Sequence, residues 1–161
     1  MRFLFMIVAM FCLSCSHTYY IVRHAEKAEA TANTGSDVPL NDIGKERAKA
    51  IMEIMANKKI AYVFSTNTIR TKSTAQPIAD HFHLSIETYG PRPDSAFISL
   101  LKTKKKNTLI VGHSNTIDDV VNMLCNKKEI DGDLPETEYN KLFIVKKKGK
   151  KFLFTESKIY P

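Results

Sequence analysis

An apolar run, Tyr19-Tyr20-Ile21-Val22, stops abruptly at Arg23-His24, and the same kind of stop recurs twice further along the chain. Tyr62-Val63-Phe64-Ser65 leads into Arg70, and Leu109-Ile110-Val111-Gly112 leads into His113, each beside a stretch with helical spacing. Short runs rich in β-branched and aromatic residues read as buried strands. Their alternation with helical patterns restricts the chain to an α/β architecture. Ligands of such folds bind outside the carboxyl ends of the strands. Arg23, His24, Arg70 and His113 are therefore expected to share one pocket, and its chemistry suits an anion.

The remaining elements fall between these stops. Thr18 to Val22 reads as a buried strand, and the polar stretch Ala25 to Pro39 as a loop over the site. Asn41 or Asp42 can cap a helix with apolar positions Ile43, Ala48, Ile51, Met52 and Met55. After a strand at Ala61 to Ser65, Thr66 or Asn67 can cap a helix reaching about Phe82, with Pro77 able to kink it. Leu84 to Thr88 reads as a strand, Ser95 to Lys102 as a helix, Thr108 to Val111 as a strand and Thr116 to Leu124 as a helix. Lys141 to Val145 and Lys151 to Phe154 complete an antiparallel hairpin. The expected fold is a three-layer α/β sandwich with a mostly parallel central sheet and an antiparallel edge. At 161 residues the chain has room for one such core.

The first residues do not belong to that core. Met1-Arg2 is a basic start, Phe3 to Leu13 an unbroken apolar run, and Leu13-Ser14-Cys15 a short ending. This pattern is a secretory signal, too short to span a bilayer, which takes about 20 apolar residues. Residues 1–14 are thus expected to be a signal peptide and 15–161 the folded domain. The placement of Cys15 resembles the bacterial lipoprotein signal, which implies lipidation there and a domain held near the membrane; a plain signal peptide is the alternative. The chain is expected to be exported, as a periplasmic or membrane-anchored protein of a bacterial envelope. Cys12 is expected to be removed with the signal and Cys15 to be lipidated or to lie at the mature terminus, so no cysteine metal site is expected, and Cys125 reads as a small buried hydrophobe. The net charge of +7 rests on lysine clusters at 102–106 and 146–151. They flank strands without interleaved aromatic residues, so they read as solvated turns and edge lysines, and no nucleic-acid partner is expected.

Four segments carry a family resemblance. Arg23-His24-Ala25-Glu26-Lys27 resembles the opening motif of the histidine phosphatase superfamily, the compact phosphoglycerate-mutase-like type. Leu40 to Ala48, Ser65 to Ala75 and Val111-Gly112-His113-Ser114 resemble, in order, its first-helix, second-arginine and second-histidine segments. The resemblance implies that His24 is a nucleophile forming a phosphohistidine, with Arg23, Arg70 and His113 holding the phosphoryl oxygens.

Residue chemistry permits this. A neutral imidazole is a competent nucleophile, guanidinium forks bind phosphoryl oxygens directionally, and neighbouring cations disfavour imidazolium. No metal or cofactor is called for. The proton donor to the leaving group is expected to be Asp94, with Glu26 next, while an N-cap role for Asp94 competes. Lys27 and Ser114 are candidate pocket residues; His17, His81 and His83 are not. The expected function is a phosphomonoesterase acting on a phosphorylated small molecule. The alternatives are a protein phosphohistidine phosphatase, or a non-catalytic envelope protein that binds a phosphorylated ligand or meets anionic lipid through its lysines.

Overall fold

The structure, a computed structural model, describes residues 16–31 and 35–160. The expected signal segment and Cys15 lie outside the described residues. In chain order the elements are β1 (Ser16–Arg23), α1 (Asp42–Met55), β2 (Tyr62–Thr66), α2 (Ile69–Phe82), β3 (Ile86–Tyr89), α3 (Ser95–Thr103), β4 (Thr108–Gly112), α4 (Ile117–Cys125), β5 (Lys141–Lys148) and β6 (Lys151–Lys158). One sheet holds all six strands in the order β3-β2-β4-β1-β5-β6. The first four of that order run parallel, and β5 and β6 add an antiparallel edge.

The side-chain period of two sorts each central strand between two helical layers. Tyr19, Ile21, Phe64 and Ile110 face the layer containing Val120, Leu124 and Leu101 of α4 and α3. Tyr20, Val22, Val63, Leu109 and Val111 face Ile51 and Met55 of α1 and Ala75 and Ile78 of α2. Burial on both faces explains why these strands read as continuous apolar runs. A fully buried side chain of this kind stabilises the fold by about 1.5–3 kcal/mol.

Three expectations are corrected by local packing. Ile43 is 59% exposed, because α1 turns Gly44, Arg47, Ala48 and Ile51 inward. The cap of α2 is Thr68, whose side chain accepts from the Thr71 N–H; Thr66 is still strand, paired with Tyr89. The edge hairpin runs past both expected strands, since β5 continues from Val145 to Lys148, opposite Lys151, and β6 from Phe154 to Lys158, opposite Lys141. Asn41 caps α1 by accepting the Gly44 N–H at 2.8 Å. Pro77 lies inside α2, which continues to Phe82.

Candidate active site

Strands β1, β4 and β2 are neighbours, and all three end at the same edge of the sheet. The His24 N–H donates to the Gly112 carbonyl at 2.9 Å, extending the β1–β4 ladder into the segment that carries His113. A Cβ at Gly112 would meet the Tyr89 hydroxyl at 2.7 Å and Ile117 at 2.9 Å, so this approach requires glycine. The two imidazoles lie edge to face with centroids 5.4 Å apart.

Beyond these strand ends lies a cavity of about 680 Å³ whose walls include Arg23, His24, Lys27, Arg70, His113 and Ser114. The structure thus brings together all four convergent residues and both candidate pocket residues. Helices α2 and α4 begin here, with Thr68 and Thr116 also on the wall, and their N-terminal dipoles favour a bound anion.

Each imidazole is oriented by a fixed partner. His24 Nδ1 lies 2.8 Å from the Ala25 carbonyl, which can only accept, so Nδ1 carries the hydrogen and Nε2 the lone pair. Burial, reinforced by Arg23, His113 and Arg70, pushes the His24 pKa down to about 3. His113 Nε2 lies 2.9 Å from Thr66 Oγ1, and burial together with Arg70 and Arg23 takes its pKa down to about 4. Both rings are neutral at pH 7.

The arginines are held but not saturated. Arg23 Nη1 donates to the carbonyls of Pro135 and Glu136, each at 3.0 Å, and its guanidinium stacks 4.1 Å above the Tyr139 ring. Arg70 Nη1 reaches Asp37 at 3.4 Å. Yet the Nε–H of both arginines is buried without a hydrogen-bond partner among the described residues. A buried donor left unpaired is costly, so the fold does not satisfy the full hydrogen-bonding capacity of either guanidinium.

The carboxylates are arranged differently from expectation. Asp94 does not line the cavity; its carboxylate caps α3, accepting the Phe97 N–H at 2.7 Å. Glu26 also lies off the cavity, in a bidentate pair with Arg47 that outweighs the cost of burial and holds the carboxyl below its ordinary range. The carboxylates on the cavity wall are Asp133 and Glu136. Glu136 Oε1 accepts from Ser114 Oγ at 2.6 Å, and Oε2 accepts from Arg23 Nη2 at 2.8 Å. The Ser114 hydrogen bond and Arg23 keep it ionised. Arg92 also joins the wall. Neither Glu136 nor Arg92 carries a periodic signal; Glu136 could have been found only by asking which residues of the polar loop before β5 reach the pocket. His17 is buried on β1, bonded to Tyr19, and neither it, His81 nor His83 lines the cavity. Cys125 is half-buried, and burial raises its pKa to about 11, so it remains a thiol.

Residues 19–90 match the family model of the histidine phosphatase superfamily (branch 1). Fructose-2,6-bisphosphatase TIGAR of Xenopus tropicalis is 36% identical over 69 residues, covering 40% of this chain and 25% of that protein. The protein designated probable phosphoglycerate mutase GpmB of Yersinia pestis (strain Pestoides F) is 31% identical over 93 residues, covering 56% of this chain and 43% of that protein. The chain thus spans less than half the length of these relatives. In fold, the protein histidine phosphatase SixA, solved in complex with tungstate, superposes with a TM-score of 0.68 at 19% identity, over 88% of this chain and 96% of that one. In sequence, residues 19–90 of the chain are thus similar to the histidine phosphatase superfamily (branch 1), and most of its length shares the fold of SixA.

Proposed function

We propose that this protein is a phosphomonoesterase that hydrolyses its substrate through a phosphohistidine on His24. The observation that carries the reading is the pairing of a neutral, oriented imidazole with two arginine residues on the wall of one cavity. His24 Nε2 attacks phosphorus, a P–N bond forms, and the P–O bond to the leaving group breaks. The equatorial oxygens gain charge-assisted hydrogen bonds from Arg23 and Arg70, and His113 joins them; positioning and charge stabilisation supply most of the catalysis in phosphoryl transfer. Water then attacks phosphorus, the P–N bond breaks, and inorganic phosphate leaves. The leaving oxygen needs a proton, and the attacking water must lose one. Glu136 is the carboxylate suited to both steps. A phosphoryl dianion competing for Arg23 and Ser114 strips Glu136 of its two stabilising partners, which raises its proton affinity as substrate binds.

A phosphohistidine substrate is a second reading, favoured by the absence of any carboxylate from the 89–93 segment, where Arg92 faces the cavity instead. An imidazole leaving group makes weaker demands on an acid than an alkoxide does. The same proposal includes export and anchoring through Cys15. The deciding experiment incubates the protein with a phosphomonoester and with a phosphohistidine peptide, and looks for an acid-labile, base-stable phosphoryl label. His24→Ala is expected to abolish both label and turnover while remaining folded. Turnover that survives this substitution overturns the mechanism.

A further inference from the structure

The lysine clusters that look unrelated along the sequence come together at one end of the fold. Segment 58–59 precedes β2, segment 104–106 precedes β4, and segment 146–151 is the turn between β5 and β6. All three surround the first residue of β1: Ser16 pairs with Lys148 and His17 with Lys147. Asn107 ties the other two segments to the same place. Its side-chain carbonyl accepts the Thr18 N–H at 2.9 Å, and its side-chain amide donates to the Lys58 carbonyl. None of the three segments contains an acidic residue. Lys104 is 3.9 Å from Glu87, whereas Lys58, Lys59, Lys105, Lys106, Lys148 and Lys150 are exposed.

This end is opposite the candidate active site. Arg23 closes β1 at the cavity and Ser16 opens it among the lysines. Seven steps of about 3.3 Å separate the two ends by about 23 Å. Cys15, the residue through which the proposed function anchors the protein, directly precedes Ser16 in the sequence, and Ser16 lies at the centre of the lysine face.

We propose that the lysine-bearing end of the sheet is a docking surface for an anionic phospholipid bilayer, with the cavity facing away from it. The proposed anchor at Cys15, one residue before the strand that opens at the middle of the face, selects a bilayer over nucleic acid as the occupant, a choice that rests on that export reading. The local aromatic residue supports that choice: Phe152 is already covered by Lys102 and Lys147, with ammonium groups 5.6 and 5.4 Å from its ring, and offers no free platform for a base. Exposed lysines near an anionic surface each strengthen binding about fivefold, and the attraction fades within a Debye length of about 8–10 Å. A cavity about 23 Å away keeps its access to soluble substrate.

The test uses the full chain on phosphatidylglycerol vesicles and on phosphatidylcholine vesicles at about 0.1 M salt. Surface lysines are acetylated and each site is read by mass spectrometry. On phosphatidylglycerol, Lys105, Lys106, Lys148 and Lys150 are expected to be protected several-fold relative to phosphatidylcholine, while Lys27 and Lys45, at the cavity end, react equally on both. Changing the four protected lysines to Gln should lower partitioning onto phosphatidylglycerol by on the order of a hundredfold or more. Hydrolysis of a soluble phosphomonoester should be unchanged. Equal reactivity of the four on both vesicles overturns the proposal, as does unchanged partitioning of the variant. Preferential protection of the same lysines by a short DNA duplex in competition with the vesicles also overturns it and assigns the face to nucleic acid.

Discussion

Glu136 occupies an unusual position for a carboxylate, 75% exposed and yet bonded to the buried guanidinium of Arg23. Its effect on catalysis depends on the leaving group. An alkyl phosphate expels a poor leaving group and needs the proton, whereas a nitrophenyl phosphate does not. Glu136→Gln is expected to lower kcat for an alkyl phosphate by about 10²- to 10⁴-fold, the usual worth of a general acid. For the nitrophenyl ester the loss should stay below about tenfold, with a lower KM for both because a negative charge has left the pocket. Steady-state kinetics on the two substrates checks this, and equal losses on both would remove Glu136 from the proton path. Arg23, His24, Arg70 and His113 were legible from the sequence because each follows an apolar run that can only be a central strand. Glu136 was not. It reaches Arg23 across 113 positions from a loop without periodicity, and only the folded chain shows the contact.

Among the elements, α1 shows how a local preference is overruled by packing. Glycine in a helix costs about 1 kcal/mol relative to alanine, so Gly44→Ala would stabilise an isolated α1. In the fold a Cβ at Gly44 runs into the backbone carbonyl of Glu26, in the segment that follows His24. Backbone cannot swing aside as a flexible side chain would, and overpacking of this kind costs about 1–3 kcal/mol. The second effect wins. Gly44→Ala is expected to lower the urea midpoint, and to lower phosphomonoester turnover more than stability alone explains, because the displaced strand end carries the nucleophile. An unchanged midpoint would show that the 24–27 segment can move freely. Element identity was legible wherever apolar period and burial agree, as in β1, β4 and α4. Boundaries were less so, because they depend on pairing partners: Thr66 stays in β2 through Tyr89, and β5 and β6 continue into lysines because a ladder needs backbone groups rather than apolar side chains.

At the scale of the whole molecule, three histidines link stability to pH. Burial lowers His24, His113 and His17, with arginines adding to the first two and Lys147 and Lys105 to the third. Each is neutral in the folded protein at pH values where the unfolded chain, near its ordinary 6.5, already takes up a proton. The unfolded state therefore binds more protons below pH 6.5, and stability must fall as pH drops through that value. The slope is at most about 1.4 kcal/mol per pH unit for each histidine. For His24 the loss saturates only near its folded pKa of about 3. Glu26 and Glu136, two of the carboxylates with lowered pKa values, lose their contribution in a separate window below about pH 4.5, while Asp118, raised by burial, runs in the opposite direction. Between pH 7 and 5 the histidines dominate. The urea midpoint is expected to decline steadily across that interval in the wild-type chain. His24→Asn and His113→Asn should each flatten the decline by removing one titrating group, whatever they do to absolute stability. A wild-type midpoint that is level from pH 7 to pH 5 would mean that these rings take up protons in the folded state as readily as in the unfolded chain, which overturns the lowering of their pKa values by burial and by the neighbouring arginines.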